Sequence, residues 1–186
     1  MRKLEEPLEG CLLLEGAIFH DERGYFRRLS TVDESAALGL PTSFRQSAAS
    51  FNLRRGTVRG LHFQAAPNLE HKLVQCVRGA IFDVMVDLRP NSPTYGQHFG
   101  AELSEANGHM LYSAPGFAHG FQALSDDCLV LYQISPDFVA GGDGAVRWDD
   151  PDLAIAWPLE AVNLSAKDQS APLFCQHDPA LTTPWP

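Results

Sequence analysis

Five side chains that could transfer or hold a proton lie in apolar stretches of this sequence. They are His62 in VRGLHFQ (58–64), Lys72 in KLVQCV (72–77), Asp83 in AIFDVMVDL (80–88), His119 in APGFAHGF (114–121) and Tyr132 in CLVLYQI (128–134). Taken singly, a histidine or tyrosine in such a stretch is usually packed and hydrogen-bonded, and a lysine at a strand start usually faces solvent. Asp83 is different, because a buried carboxylate is costly unless it is paired. His119 is a candidate partner for Asp83.

His62 allows three interpretations, namely packing, metal binding and base catalysis. Metal-binding barrels of the cupin class carry two histidines as HxH, followed by a glutamate. Here the second position is Gln64, and glutamine is a poor replacement for imidazole on a transition metal. Glu70 and His119 preserve part of the pattern. Metal binding is therefore kept only as a minor alternative.

Short alternating apolar runs between turn residues predict an all-β protein. The clearest strands, rich in β-branched and aromatic residues, are 72–77, 80–88 and 128–134. Residues 30–40 predict a short helix, with Thr31 or Asp33 as its N-cap and Gly39 at its end. The proline-rich tail DPALTTPWP (178–186) is expected to lie on the surface or to be disordered.

Side chains alternate between two faces along a strand, which divides residues 80–88 into an apolar and a less apolar face. The apolar face, expected in the core, consists of Phe82, Val84, Val86 and Leu88. The opposite face carries Asp83, and in a small closed sheet such a face can line a cavity. The same alternation puts Arg59 opposite His62, unless Gly60 allows a bulge.

Length, charge and cysteine spacing narrow the class of protein. The 186 residues predict one domain, residues 1–174, with a tail at 175–186. The net charge of -9 argues against nucleic-acid binding, so an anion would need a few placed arginines. No apolar run is long enough for a membrane helix, and MRKLEEPLEG lacks the apolar stretch of a signal peptide. The four cysteines form no CxxC pair, which fits a cytoplasmic location.

Six longer blocks follow one another along the chain from about residue 4 to residue 174. They are FHDERGYF (19–26), VRGLHFQ (58–64), HKLVQCVRGAIFDVMVDLRPNSPTYG (71–96), APGFAHGF (114–121), WDDPDLAIAWP (148–158) and LSAKDQSAP (164–172). Together they closely resemble the dTDP-4-dehydrorhamnose 3,5-epimerase family. The resemblance implies a cupin-type β-barrel of jelly-roll form with short peripheral helices, commonly a homodimer. It also implies epimerisation of a nucleotide-linked 4-keto-6-deoxyhexose at C3 and C5, with neither a metal nor another cofactor.

The resemblance further assigns roles to residues at matching positions. His62 resembles the family's base, and Asp168 resembles the carboxylate that orients its imidazole. Tyr132 resembles the acid, and Lys72 resembles a lysine near the keto oxygen that stabilises the enolate. Substrate contacts are implied for Phe19, Arg23, Phe26, Gln46, Ser50, Arg59, His119 and Lys167.

Four positions in the expected substrate-contacting set depart from the family pattern. Arg28 stands where a glutamate is common, Ala48 replaces an asparagine, Phe138 replaces a stacking tyrosine, and Asp143 stands near a typical glutamate position. Arg28, Phe138 and Asp143 are still expected to contact the substrate. Arg28 reverses a charge, and Phe138 keeps the stacking surface without the hydroxyl. The reaction type is therefore better supported than the identity of the nucleotide or the sugar.

Three alternatives stay open. The first is an epimerase that inverts only C3 or only C5 of a different nucleotide sugar. The second is a metal-dependent cupin such as a dioxygenase, and the third is a barrel that binds a sugar nucleotide without turning it over. His62, Lys72, Tyr132 and Asp168 argue against the third, because binding alone requires neither an acid nor a base. The expected partners are a nucleotide-diphosphate 4-keto-sugar and a second copy of the chain, with no nucleic acid and no membrane.

Overall fold

The computed structural model describes residues 1–183, which form thirteen β-strands, two short α-helices and two 3₁₀ turns. The strands are β1 (Arg2–Leu8), β2 (Cys11–Glu15), β3 (Ile18–Asp21), β4 (Gly24–Arg27), β5 (Gln46–Asn52), β6 (Val58–Gln64), β7 (His71–Arg78), β8 (Ala80–Asp87), β9 (His98–Ser104), β10 (His109–Ser113), β11 (Phe117–Ala123), β12 (Cys128–Ser135) and β13 (Asp143–Ala145). The helices are α1 (Val32–Ala37) and α2 (Ala166–Gln169), and the 3₁₀ turns are Phe174–Gln176 and Pro179–Thr182. Among these described helices, none combines the length and apolar character needed to cross a membrane.

Two antiparallel sheets enclose the interior. The six-stranded sheet has the order β1-β2-β10-β7-β12-β5, and the five-stranded sheet has the order β13-β6-β11-β8-β9. Strands β3 and β4 form a separate two-stranded unit, residues 18–27, called the hairpin below. Strands distant in sequence are neighbours in both sheets, as in a double-sheet jelly roll. The all-β expectation is confirmed.

Apolar side chains are buried in three layers, one between the sheets and one on the outer face of each sheet. The central layer includes Val74 and Val130 from the six-stranded sheet and Met85 and Phe121 from the five-stranded sheet. A second layer, under the segment after β13, includes Val84, Val86, Leu88 and Leu153. A third, under the segment after α1, includes Leu12, Leu40, Leu73 and Met110. Burial of apolar area in these layers stabilises both sheets.

Strand β8 is buried on both faces because it lies between two of these layers. Its apolar face is in the core, as expected, but it packs under the C-terminal segment, with Phe82 against the Trp157 ring. The other face turns into the interior, where Met85 joins the central layer and Asp83 is fully buried. The face that carries Asp83 therefore belongs to the barrel interior.

The predicted elements are present with small changes in their ends. The three predicted strands correspond to β7, β8 and β12. Helix α1 is shorter than predicted, and the Thr31 hydroxyl accepts a hydrogen bond from the Glu34 amide at 3.2 Å. Thr31, not Asp33, is therefore the N-cap. Gly39 follows the helix with φ +70°, a conformation that favours glycine and ends the helix.

The tail is more closely packed than its composition predicted. Thr182 is fully buried, and its hydroxyl donates a hydrogen bond to the Leu88 carbonyl at 2.6 Å. The Leu181 carbonyl accepts a hydrogen bond from the Ala66 amide at 2.8 Å. The surface expectation is correct for residues 178–181, which are exposed, and wrong for Thr182, whose hydroxyl is buried against the barrel. Residues 184–186 lie outside the described part of the chain.

A bulge in β6 removes the conflict between the faces of Arg59 and His62. His62 pairs with His119 and Arg59 pairs with Phe121, so β6 uses one residue more than β11 over this interval. The extra residue reverses the alternation, and Arg59 and His62 line the same cavity. Gly60 has φ +119°, and a Cβ there would lie 2.5 Å from the Gly120 Cα. Only glycine fits this close approach of the two backbones.

Gly60→Ala is expected to lower the free energy of unfolding by about 3 kcal/mol, because the methyl group meets backbone atoms that cannot move aside. Gly24→Ala is the matched control. Gly24 has a similar φ of +129°, but a Cβ there would meet nothing within 4 Å. It should cost only about 1 kcal/mol. Urea denaturation of both variants gives the two values, and equal losses would rule out the close contact as the cause.

Candidate active site

A cavity of about 360 Å³ opens between the two sheets. Its lining residues are Ala48 and Ser50 on β5, Arg59 and His62 on β6, Lys72 on β7, His119 and Phe121 on β11, Tyr132 and Ile134 on β12, and Ser165, Lys167 and Asp168 around α2. Both sheets and one short helix therefore contribute to a single pocket. Arg59, Lys72 and Lys167 supply three cationic side chains, which suits an anionic ligand even though the whole chain is acidic.

His62 and Asp168 form a short hydrogen bond at the cavity wall. The distance between His62 Nε2 and Asp168 Oδ1 is 2.5 Å, and the Asp168 side chain is 4% exposed. An ionised carboxylate can only accept, so Nε2 carries the proton and Nδ1 keeps the lone pair that a base needs. The Ser165 hydroxyl caps α2 by accepting a hydrogen bond from the Asp168 amide. This cap fixes the helix end that presents Asp168.

Opposing effects set the basicity of His62. Burial lowers the pKa of His62 below its ordinary value, and the hydrogen bond and charge of Asp168 act in the opposite direction. The nearby Lys72 and Lys167 ammonium groups make smaller contributions that lower the pKa. A lowered pKa keeps the imidazole neutral near pH 7, and a neutral imidazole can accept a proton.

A second pair lies deeper in the barrel. His119 Nε2 is 2.7 Å from Asp83 Oδ1, and both side chains are almost fully buried. The pairing expected from the sequence is confirmed. Burial raises the pKa of Asp83, while His119 and, to a smaller extent, Lys72 oppose the rise. His119 also packs edge-on against Tyr132, with 6.0 Å between ring centroids, and pairs across the sheet with His62.

Tyr132 presents its phenol to the same cavity. Its hydroxyl lies 3.0 Å from the Ser50 hydroxyl on the neighbouring strand β5. Burial raises the pKa of Tyr132 above its usual value, and the Ser50 hydrogen bond opposes this effect. The phenol is therefore protonated near neutral pH and is available as a proton donor.

Two cations are held at defined positions by neighbouring groups. Lys72 Nζ lies 2.7 Å from Glu70 Oε1, and both side chains are nearly buried. Arg59 Nε donates to Asn52 Oδ1 at 2.7 Å, and Arg59 Nη2 donates to the Phe51 carbonyl at 3.3 Å. These contacts orient one ammonium and one guanidinium within the cavity wall.

The structure brings together nine of the residues that the sequence analysis placed at the site. The nine are Ala48, Ser50, Arg59, His62, Lys72, His119, Tyr132, Lys167 and Asp168. Asp143 is linked to this group through an ion pair with Lys167. The remaining six do not line the cavity: they are Phe19, Arg23, Phe26, Arg28, Gln46 and Phe138. Phe19, Arg23 and Phe26 lie on the hairpin, which is a separate sheet.

Three lining residues were absent from the sequence prediction, namely Phe121, Ile134 and Ser165. Phe121 and Ile134 lie two residues beyond His119 and Tyr132, so strict alternation along β11 and β12 would have found them. Ser165 stands three residues before Asp168, the spacing of a helix N-cap. The sequence therefore contained the signal for a helix N-cap at Ser165, but nothing in it indicated that this residue lines the cavity.

Within residues 1–183, no cluster of three or more histidine, cysteine, aspartate or glutamate side chains has the arrangement of a metal site. The Gln64 amide lies instead beside β13, where its carbonyl oxygen accepts a hydrogen bond from the Val139 amide at 3.3 Å. His62 and His119 each bind a carboxylate.

Comparison with known proteins identifies the family. The model of the dTDP-4-dehydrorhamnose 3,5-epimerase family matches residues 5–176. The chain belongs to this family. A dTDP-4-dehydrorhamnose 3,5-epimerase of Methanothermobacter thermautotrophicus is 43% identical, covering 91% of this chain and 92% of that protein. The resemblance inferred from the six sequence blocks is therefore confirmed.

Two further relatives bear on the chemistry of this epimerase family. A dTDP-4-dehydrorhamnose 3-epimerase of Streptomyces niveus is 41% identical, over 84% of this chain and 75% of that protein. The crystal structure of a dTDP-6-deoxy-D-glucose-3,5-epimerase from Legionella pneumophila, in complex with dTDP-4-keto-L-rhamnose, is 34% identical with a TM-score of 0.93. It covers 100% of this chain and 98% of that one. The cupin-type fold expectation is confirmed, and the chain is a member of an isomerase family.

Asp168→Asn is expected to move the pKa of His62 further down, because the change removes the negative charge that favours the imidazolium. NMR titration of the labelled histidine ring measures the pKa directly. Asp149→Asn is a suitable control, since Asp149 pairs with Arg147 on the surface. An unchanged or raised pKa of His62 in Asp168→Asn would contradict the pairing.

Proposed function

We propose that this protein is a cofactor-free epimerase that inverts C3, C5 or both in a nucleotide-linked 4-keto-6-deoxyhexose of the dTDP-4-dehydro-6-deoxyglucose type, in deoxysugar biosynthesis. One observation carries the proposal: a carboxylate-bound imidazole, His62, and a partly buried phenol, Tyr132, line one cavity together with an ammonium group, Lys72. A base, an acid and a cation are the groups that inversion beside a ketone requires.

The first chemical step is removal of a proton by His62. The C4 ketone acidifies the hydrogens on C3 and C5, and Nδ1 of the neutral imidazole accepts one of them. The C–H bonding pair becomes a carbon–carbon double bond, and the carbonyl pair moves onto oxygen to give an enolate. Asp168 stabilises the imidazolium that forms, because it accepts a hydrogen bond from Nε2–H and carries a negative charge.

The second step returns a proton from the opposite face of the ring. Lys72 stabilises the enolate oxygen, and Tyr132 donates its phenolic proton to the carbon as the carbonyl re-forms. The raised pKa of Tyr132 keeps its proton in place until this step. Proton exchange with solvent then restores both residues. The net reaction consumes no oxidant, reductant or co-reactant.

The cationic side chains bind the diphosphate of the substrate in this proposal. We assign Arg59 and Lys167 to the diphosphate. Asp143 pairs with Lys167 and orients its ammonium group. Gln46, Ser50, His119, Phe138 and Arg28 complete the proposed substrate contacts. Ala48 lines the cavity with a side chain smaller than the family's asparagine. The smaller side chain would leave room at this wall for a different group on the sugar or the nucleotide.

Inversion at a single carbon is the second candidate, because one of the relatives, from S. niveus, is named a 3-epimerase. That relative is named a 3-epimerase and is nearly as similar to this chain as the relative named a 3,5-epimerase. Overall sequence identity therefore does not distinguish inversion at one carbon from inversion at two. The position of deuterium in the product distinguishes them.

We also infer that the protein acts as a homodimer in which the hairpin serves the site of the partner. Phe19 and Phe26 on the hairpin are 53% and 62% exposed, and they do not line the candidate active-site cavity of their own chain. Phe51 and Leu53 add exposed apolar surface at the end of the edge strand β5. Exposed apolar patches of this kind often mark interfaces. Arg23 and both phenylalanines would then contact substrate in the partner's cavity.

A cytoplasmic location accords with the cysteines. Cys11, Cys76, Cys128 and Cys175 are free thiols, and three of them are buried. Free thiols are the ordinary state in a reducing compartment.

Deuterium exchange tests the reaction. In deuterated water and in the presence of chelator, the protein should introduce label at C3, C5 or both of a dTDP-linked 4-keto-6-deoxyglucose. His62→Ala should slow exchange about 1000-fold, and Tyr132→Phe should slow turnover about 100-fold or stop it after one exchange. NMR of the product gives rate and position.

His109→Ala and Tyr95→Phe are the matched controls, since neither residue lines the cavity. Full exchange in both His62→Ala and Tyr132→Phe would overturn the role assignment. Activity that chelator abolishes would favour a metal-dependent cupin. Binding of the sugar nucleotide without exchange would favour a non-catalytic protein.

Subunit complementation tests the role of the hairpin. His62→Ala and Arg23→Ala should each have low activity. Refolded together in equal amounts, they should regain about a quarter of wild-type activity, because half of the dimers are mixed and one of their two sites is intact. Activity no higher than the mean of the two variants would mean that Arg23 serves its own chain.

A further inference from the structure

Glu70 and Lys72 form an ion pair at the start of β7. The distance between Lys72 Nζ and Glu70 Oε1 is 2.7 Å, and the side chains are only 9% and 11% exposed. Lys72 lines the cavity, whereas Glu70 does not. Glu70 can therefore affect the cavity only indirectly, through its contact with Lys72.

Burial of such an ion pair has a free-energy cost, so the pair is not explained by a gain in stability from packing. Two charges removed from water lose hydration that their mutual attraction does not always restore. A lysine stem has four rotatable bonds, and fixing its ammonium group costs conformational entropy. A carboxylate 2.7 Å away offsets part of that cost before any ligand binds.

The surroundings of Lys72 make its position chemically important. Other charged or titratable cavity residues are Arg59, His62, His119, Tyr132, Lys167 and Asp168, with Asp83 behind His119. After burial, the positive charge of Lys72 is among the contributions that lower the pKa of His62. Movement of this ammonium group would alter the field at the proposed base as well as at the keto oxygen.

The substrate itself offers Lys72 a competing partner. A nucleotide-linked sugar carries a diphosphate, and a free ammonium group would bind that diphosphate in the ground state as readily as an enolate in the transition state. Binding of this kind lowers KM without raising kcat. A restraint that keeps Lys72 away from the diphosphate therefore favours the chemical step.

We propose that Glu70 is a positioning residue that holds the Lys72 ammonium group at the keto oxygen of the substrate, an inference that rests on the proposed epimerase function. The restraint acts through one hydrogen-bonded ion pair. Glu70 itself neither donates nor accepts the transferred proton.

Glu70→Gln tests the proposal, because it retains size and hydrogen bonding but removes the charge. We expect kcat for deuterium exchange to fall about tenfold, with KM unchanged or lower, since the loss falls on the transition state. Glu102→Gln is the matched control, because Glu102 is an exposed glutamate on β9. Glu70→Asp keeps the charge and should restore part of kcat.

A double-mutant cycle with Lys72→Met separates positioning from a structural role. If Glu70 acts through Lys72, adding Glu70→Gln to Lys72→Met should change kcat less than twofold. A tenfold loss in both backgrounds, or a rise in KM with unchanged kcat, would overturn the proposal. If Glu70→Gln does not fold, Glu70→Asp replaces it in the cycle, and wild-type kcat in that variant would overturn it as well.

Failure of the proposed function gives a different result. Wild-type protein without exchange at C3 or C5 would reject the epimerase assignment itself. Wild-type exchange together with a Glu70→Gln variant that equals Glu102→Gln in kcat and KM would reject only the role of Glu70.

Discussion

The hydrogen bond between His62 and Asp168 joins two parts of the molecule that are 106 residues apart in sequence. His62 belongs to the five-stranded sheet, and Asp168 lies on a four-residue helix that the C-terminal segment brings back over the cavity. A buried carboxylate without a partner would be costly, and an imidazole without a fixed acceptor could take either tautomer. Their pairing therefore meets a requirement of the fold and a requirement of a base at the same time.

The same constraint applies throughout the barrel interior. Burial of a polar group is costly without a partner, and three further polar pairs form here: Asp83 with His119, Glu70 with Lys72, and Ser50 with Tyr132. Each pair joins neighbouring strands or the start of one strand. Each also has at least one member that lines the cavity. Stability and the proposed chemistry thus depend on the same contacts.

The bulge at Gly60 shows how a local departure from regular structure serves the site. A regular β6 would send Arg59 to the opposite face from His62. One extra residue returns Arg59 to the cavity, where a cation is needed in an acidic protein. The positions proposed for substrate recognition differ from those proposed for catalysis in this respect. Arg28, Phe138 and the hairpin residues do not line the candidate active-site cavity, and we infer that a second copy brings the hairpin to a site.

The sequence by itself determined the all-β class, the strands β7, β8 and β12, the short helix and the family, because alternation, turn residues and ordered blocks are local properties. It also indicated that Asp83 needs a partner. Only the tertiary structure decided that Glu70 pairs with Lys72 and Ser50 with Tyr132, which residues of the hairpin lie away from the cavity, and that Thr182 is buried. These outcomes depend on contacts between residues far apart in the chain. Local periodicity records which face a side chain occupies, but not what the other sheet places opposite it.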